Sequence, residues 1–170
     1  MAYDRVRRQQ QIRQAEGYLE LGMPQQAIST LEKFGAGEHV PASVFYLRGE
    51  ALRSLGRWTD AIVPLERAAS GSPENIHIWL ALGWCHKRNG RIDLAIESLE
   101  QAMEAEPQEA LIHYNLACYW SLAGNKRHAL AFLSKAFDLE ADYRDLVSSE
   151  PDFDPIRSDP DFQTLVSVVV

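Results

Sequence analysis

Four glycines recur along this chain at a constant spacing of 34 residues. Each is followed five residues later by an alanine and nine residues later by a leucine. The glycines are Gly22, Gly56, Gly90 and Gly124. A constant period in this range is the signature of a stacked helical repeat, whose units bury their apolar faces against one another. The spacing therefore predicts a repeat architecture, a class that usually binds other proteins and carries out no chemistry.

An apolar-patterned stretch of helical length lies on each side of every glycine. The first stretch of each unit, helix A, is predicted at about 4–20, 42–55, 75–89 and 109–123. The second, helix B, is predicted at about 24–33, 58–70, 92–105 and 126–139. Glycine can end helix A in the left-handed conformation at little steric cost, and the short loop after it imposes an antiparallel pair. The sequence thus predicts four helical hairpins, in units of about 8–41, 42–75, 76–109 and 110–141.

Small residues are predicted to let the two helices of a hairpin pack closely. Helix A carries Ala15, Gly49, Gly83 and Ala117 at one repeated position, and helix B carries Ala27, Ala61, Ala95 and Ala129. His86 and His113 fall at core-packing positions, and Ser98 is predicted on the solvent face of its helix. Pro64 interrupts a predicted helix B, but the apolar phase continues across it, so a bend is expected there and not a boundary.

These positions make the chain resemble the tetratricopeptide repeat proteins over about residues 8–141. The third unit matches the family pattern nearly throughout, with Trp79, Leu82, Gly83, Gly90, Ala95, Leu99, Ala102 and Pro107. The first unit is degenerate, with Gln11 and Gln14 at places that are usually apolar. The resemblance implies an all-α, right-handed α-solenoid of four helix pairs, residues 1–141, followed by a C-terminal capping segment, residues 142–170.

The C-terminal segment departs from the repeat. A short helix is predicted within residues 143–149, a turn near 155–158 and a helix near 160–167, because Asp-Pro pairs typically begin a helix. The last repeat of a solenoid exposes an apolar face that a non-repeat segment usually covers. The candidates for covering it are Val147, Phe153, Ile156, Phe162 and Leu165. Two alternatives stay open, since the segment could cap the last repeat or fill the groove. This acidic, proline-containing ending resembles the endings of bacterial members of the family.

Composition narrows the class of partner and the compartment. The net charge of −7 argues against duplex nucleic acid, whose binding requires clustered basic residues. No run of 18 apolar residues predicts a membrane span, and the polar N-terminus shows no secretory signal. Cys85 and Cys118 form no disulfide-framework pattern, so a cytoplasmic location is expected. No metal-ligand spacing, nucleophile elbow or phosphate loop occurs, so we expect no enzyme, metal or cofactor.

The resemblance implies a concave groove lined by the positions of helices A that packing does not use. Spacing of three and four residues keeps these positions on one stripe of each helix. The predicted peptide-binding residues are Tyr46, Glu50, Arg53, His77, Leu80, Trp84, Lys87, Leu111, Tyr114 and Cys118. Arg53 and Lys87 are expected to contact acidic groups, and Trp84 and Tyr114 to act as rigid aromatic anchors.

One functional subtype of the family is excluded by its own motif. Members that hold a chaperone's C-terminal carboxylate use a lysine and two asparagines on the first two helices A, and a lysine and an arginine on the third. The corresponding places here hold Ile12, Glu16, Leu47, His77 and Ala81. We therefore expect a protein- or peptide-binding adaptor with another partner. The alternatives are a dedicated chaperone for a secreted or membrane-inserting client, and a self-assembling scaffold that forms homo-oligomers.

Overall fold

The computed structural model describes residues 2–37 and 39–167, and over these residues all regular structure is helical. The repeat helices are α1 (Ala2–Glu20), α2 (Pro24–Glu32), α3 (Ala42–Ser54), α4 (Trp58–Gly71), α5 (Ile76–Arg88), α6 (Ile92–Ala105), α7 (Ala110–Leu122) and α8 (Lys126–Leu139). They pair consecutively, α1 with α2 through α7 with α8, and each pair packs on the next. The predicted solenoid of four helical hairpins is thereby confirmed, with helix bounds close to those expected.

Each period of the chain turns at its repeated glycine. Gly22, Gly56, Gly90 and Gly124 all have positive φ, between 68° and 76°. In the third unit the N–H of Arg91 donates to the carbonyl of His86, which closes the end of α5 (2.9 Å). Only glycine adopts this left-handed conformation without steric cost, so the glycine spacing fixes where helix A ends and helix B begins.

The hairpins are close-packed where the sequence has small residues. Ala27, Ala61, Ala95 and Ala129 are completely buried. A β-carbon added to Gly83 would lie 3.3 Å from the carbonyl oxygen of Ala95. A β-carbon added to Gly49 would lie 2.5 Å from Cδ2 of Leu65, whose side chain is completely buried, and closer still to Cγ. The second hairpin therefore has no room for a methyl group at this point.

Ser98 and Pro64 are two positions of helices B at which the sequence makes a specific prediction. The prediction that Ser98 faces solvent is wrong, because Ser98 lies on the side of α6 that faces α4 and only 6% of its surface is exposed. Its hydroxyl donates to the carbonyl of Leu94 (2.8 Å). Pro64 lies inside α4, which continues unbroken from Trp58 to Gly71, so it marks no boundary.

The C-terminal segment folds back onto the last hairpin. It contains α9 (Tyr143–Val147), a 3-10 helix (Pro151–Ile156) and α10 (Pro160–Ser167). Val147, Phe153, Ile156 and Phe162 are buried in the same apolar cluster as residues of α6, α7 and α8, and Leu165 packs against its edge. Residues 168–170 lie outside the described residues. No helix in the described ranges is long and apolar enough to cross a bilayer.

Polar contacts hold the path of this segment. The guanidinium of Arg157 donates to the carbonyls of Val147 (3.2 Å) and Glu150 (2.6 Å), which anchors the 3-10 helix to the end of α9. The ammonium group of Lys126, at the start of α8, donates to the carboxylates of Asp159 and Asp161. The segment is thus positioned by hydrogen bonds at several points in addition to its apolar contacts.

The close contact at Gly49 generates a test of the repeat packing. We expect Gly49→Ala to lower the free energy of unfolding by about 1–3 kcal/mol, because the new methyl group collides with buried Leu65. Urea denaturation measures the change. The matched control is Gly17→Ala in α1, where nothing lies within 4 Å of the added β-carbon. The control is expected to be neutral or stabilising by up to about 1 kcal/mol, since alanine favours a helix over glycine. Equal effects of the two substitutions would contradict this packing.

Candidate functional site

Side chains of α3, α5 and α7 surround an open cavity of about 240 Å³. Because successive helices A stack side by side, positions that repeat every 34 residues meet on one face of the solenoid. The lining residues are Tyr46, Glu50, Arg53, His77, Leu80, Ala81, Trp84, Leu111 and Asn115. The structure therefore brings together all of the predicted groove residues except Lys87, Tyr114 and Cys118, and a role of this set in binding stays a prediction.

Two lining residues, Ala81 and Asn115, were not among the predicted site residues. Each lies four positions after a predicted residue on the same helix, His77 in α5 and Leu111 in α7. Side chains four residues apart are neighbours on a helix surface, so the stripe is wider than a single row of positions. Helical spacing alone could have identified both residues.

Arg53 is held inside the groove by other residues of the chain. Its Nε and Nη2 atoms donate to the two carboxylate oxygens of Glu50, at 2.9 and 2.8 Å. This hydrogen-bonded pair raises the pKa of Arg53 above its ordinary value. The pKa of the neighbouring Tyr46 phenol is also raised, mainly by burial and to a smaller extent by the negative charge of Glu50. Tyr46 therefore keeps its proton at neutral pH and presents a neutral hydroxyl in the groove.

Trp84 is the largest apolar side chain of the groove and is fixed by contacts on several sides. Its ring lies 5.8 Å from the ring of Trp58 in an edge-to-face arrangement. The guanidinium carbons of Arg53 and Arg88 lie 5.3 and 5.5 Å from its ring centroid. Cation–π and edge-to-face contacts of this kind restrict the rotamer of an aromatic side chain. Trp84 is consequently a rigid wall of the cavity.

The C-terminal segment covers the part of the groove that Tyr114 and Cys118 of α7 would form. Tyr114 and Cys118 are only 5% and 2% exposed. The ring of Tyr114 packs on those of Tyr143 (4.8 Å) and Phe153 (5.7 Å). As the structure stands, neither residue is accessible to a partner, because the chain's own aromatic residues occupy this face. Of the two alternatives left open by the sequence, the segment does both: it covers the last hairpin and fills this end of the groove.

Lys87 is also engaged by the C-terminal segment. Its ammonium group pairs with the carboxylate of Asp152 at the start of the 3-10 helix, and both side chains are largely buried. The Nζ atom lies 5.8 Å from the ring centroid of Tyr119. Both cations predicted to contact acidic groups of a ligand, Arg53 and Lys87, therefore already have acidic partners within the chain.

The two cysteines are unsuited to nucleophilic chemistry. Burial raises the pKa of the Cys85 thiol to about 11 and raises that of Cys118 further. A protonated thiol is a poor nucleophile, since the thiolate is the reactive form. Neither residue is paired in a disulfide. Within the described residues, no group of three His, Cys, Asp or Glu side chains is arranged to hold a metal ion.

The hairpins, the glycine turns and the groove define an α-solenoid of the kind that serves as a protein-interaction scaffold. Sequence models of the tetratricopeptide repeat match residues 12–76 and 52–117, which together span more than half of the chain. The protein belongs to the tetratricopeptide repeat family. No curated protein sequence gives a significant match.

Solved structures of similar architecture include tetratricopeptide repeat proteins. One crystal structure of MamA is 23% identical, with a TM-score of 0.73 over 79% of this chain and 79% of that chain. MamA from Desulfovibrio magneticus RS-1 is 20% identical, with a TM-score of 0.71 over 77% of this chain and 74% of that one. YrrB, a tetratricopeptide repeat protein with an unusual peptide-binding site, is 25% identical, with a TM-score of 0.70 over 76% of this chain and 66% of that chain. The likenesses to MamA establish the fold alone.

The packing of the C-terminal segment generates a second test. We expect Phe153→Ala to lower the free energy of unfolding by about 3–5 kcal/mol, the usual cost of truncating a buried phenylalanine. Phe153 is completely buried against Tyr114 and Phe162. The control is Leu146→Ala in the same segment, where the leucine is 50% exposed and a much smaller effect is expected. Urea denaturation measures the free energy of unfolding of both variants. A negligible effect of Phe153→Ala would mean that the segment is not seated on α7.

Proposed function

We propose that this protein binds a segment of a partner protein in the groove formed by α3, α5 and the start of α7. The observation that carries the proposal is the cavity of about 240 Å³ walled by Trp84, beside a stretch of α7 already covered by the chain itself. Rigid aromatic side chains in a concave site are the commonest binding hot spots. The chain then acts as an adaptor whose stacked repeats position the groove residues.

The lining residues indicate the chemistry of the bound segment. Leu80 and Trp84 supply apolar surface, whereas Tyr46, His77 and Asn115 supply hydrogen-bonding groups. A neutral, mostly apolar segment with one large anchor side chain fits this lining, because ligand sites are commonly apolar with a few polar groups that fix orientation. YrrB, a tetratricopeptide repeat protein of similar fold, has an unusual peptide-binding site.

The engagement of the cations argues against a strongly acidic ligand. An incoming carboxylate would have to replace Glu50 at Arg53 or Asp152 at Lys87. Such an exchange contributes little binding free energy, because one ion pair is broken as another forms. The expected ligand therefore lacks the acidic groups that Arg53 and Lys87 were predicted to contact, and an apolar anchor supplies most of its binding free energy.

The C-terminal segment is an internal precedent for this mode of binding. Phe153 places its ring against Tyr114 of α7, while Asp152 alongside it pairs with Lys87 of α5. A short turn of chain with one aromatic anchor thus already lies on the same face, directly beside the open cavity. A partner segment with a similar anchor would occupy α3 and α5 as this one occupies α7.

Selection from a random-peptide library displayed on phage, followed by calorimetry of the selected peptides, tests the proposal. We expect Trp84→Ala to weaken the binding of these peptides by at least about 2 kcal/mol, roughly 30-fold, as for a hot-spot aromatic. The matched control is Trp120→Ala, since Trp120 lies on α7 outside the groove and stacks on His128 (4.6 Å). Affinity is expected to be unchanged in this control.

Two results would overturn the groove assignment. One is peptide affinity that is the same for Trp84→Ala as for the unmodified protein. The other is an equal loss of affinity in Trp84→Ala and Trp120→Ala, which would indicate a general effect on folding. Circular dichroism of each variant shows whether the helical fold is retained.

A further inference from the structure

A second groove lies on the other side of α5, between α4 and α6. Its volume is about 480 Å³, twice that of the groove described above. Trp79 and His86 of α5 lie along its floor. Acidic and amide side chains of the flanking helices line its walls, namely Glu66, Glu97, Glu100 and Gln101. This surface is separate from the groove formed by α3, α5 and α7, with which it shares no lining residue.

The acidic side chains of this second groove form no ion pairs among the described residues. Among the described residues, the ion pairs join other carboxylates, and none includes Glu66, Glu97 or Glu100. Arg91, which lies near His86, pairs with Asp93, and the charge of Glu97 also acts on it without forming an ion pair. Three unpaired carboxylates around one concavity make it a favourable place for a cation, because their potentials add where solvent is partly excluded.

His86 adds a buried hydrogen-bonding group to the floor. His86 is only 7% exposed, and its Nδ1 atom has no hydrogen-bond partner among the described residues. Burial lowers the pKa of the imidazole, which is therefore neutral at neutral pH. A neutral imidazole presents one nitrogen as an acceptor. A buried polar atom without a partner is uncommon in a native structure, and here it belongs to a residue that lines the groove.

The preceding repeat contains the same groove with a cation already in it. That groove, of about 300 Å³, lies over α3 between α2 and α4. Phe45 takes the place of Trp79 and Glu32 the place of Glu66, each exactly one 34-residue period earlier. The guanidinium carbon of Arg67 lies 4.2 Å from the ring centroid of Phe45. An arginine on the aromatic ring is thus the arrangement that the chain itself makes at this position.

The third unit has lost that arginine. The residue one period after Arg67 is Gln101, and one period further on the chain has Lys135. In the last hairpin the residue equivalent to Ser98, one period later, is Phe132. Its ring centroid lies 5.9 Å from that of His113, so the phenylalanine packs against the floor residue of its own unit. The groove over Trp79 therefore keeps the aromatic floor of its predecessor and, in Glu66, the glutamate at the place of Glu32, and it has Glu97 where its predecessor has Val63. It has neither the cation nor a large side chain that would fill it.

We propose that the groove over Trp79 binds an arginine side chain of a partner protein. The guanidinium lies on the indole ring as Arg67 lies on Phe45, and its N–H groups donate to Glu66, Glu97 or Glu100. Arginine fits better than lysine, because its planar group stacks on an aromatic ring and binds carboxylates in a two-pronged manner. The partner is a protein segment with an exposed arginine, in keeping with the acidity of the groove and the net charge of −7.

The test uses two capped tripeptides, acetyl-Gly-Arg-Gly-amide and acetyl-Gly-Gln-Gly-amide, titrated into the full-length protein. We expect the arginine peptide to produce saturable NMR shift changes at the indole N–H of Trp79 and at the amides of Ser98 and Gln101. The glutamine peptide is expected to produce none. Equal changes with both peptides, or changes spread evenly over all acidic surfaces of the protein, would overturn the proposal.

Two variants locate the effect. Gln101→Arg, at an exposed position, restores the residue of the preceding repeat and is expected to weaken binding of the arginine peptide by about tenfold or more, since its own guanidinium occupies the ring. Trp84→Ala, in the other groove, is expected to leave this binding unchanged. Undiminished binding to a folded Gln101→Arg protein, or loss of binding in a folded Trp84→Ala protein, would contradict the assignment.

Discussion

The contact between the two helices of each hairpin is the constraint on which the rest of the structure depends. Small residues on both helices allow the backbones to approach closely, and at Gly49 even a methyl group has no room. This contact fixes the rotation of each helix A about its axis. The rotation in turn decides which side chains face the concave groove and which face the space between successive helices B. Both grooves are therefore consequences of the same packing, repeated every 34 residues.

The sequence predicts this repeated part well, because its signals are local and periodic. The glycine turns, the helix bounds and the burial of Ala95 and its equivalents follow from positions that recur in every unit. Most of the predicted groove residues also line one cavity, since helical spacing places them on one stripe. Ser98 is the exception on the repeat, because the side of α6 that faces α4 is set by the stacking of hairpins and not by the pattern within one helix.

The contacts of the C-terminal segment could not be predicted in the same way. Its buried apolar residues were recognisable, but the place where they lie depends on contacts between parts of the chain that are distant in sequence. Tyr114 and Cys118 were predicted to be open to a ligand and are covered by that segment. Lys87 and Asp152, 65 residues apart, form an ion pair that no spacing rule indicates. The open groove is in consequence shorter and less basic than the sequence suggested.

The central claim is that the C-terminal segment is seated on α7 and covers Tyr114 and Cys118, so that the cavity between α3, α5 and the start of α7 stays open. The reactivity of Cys118 towards a thiol reagent such as dithionitrobenzoate, measured in a Cys85→Ser variant under native conditions, tests it most directly. Cys118 is only 2% exposed, and burial raises the pKa of its thiol. The account predicts that this thiol reacts many times more slowly in the folded protein than after denaturation. Reaction at the rate of an exposed thiol, with the helical fold intact, would contradict it.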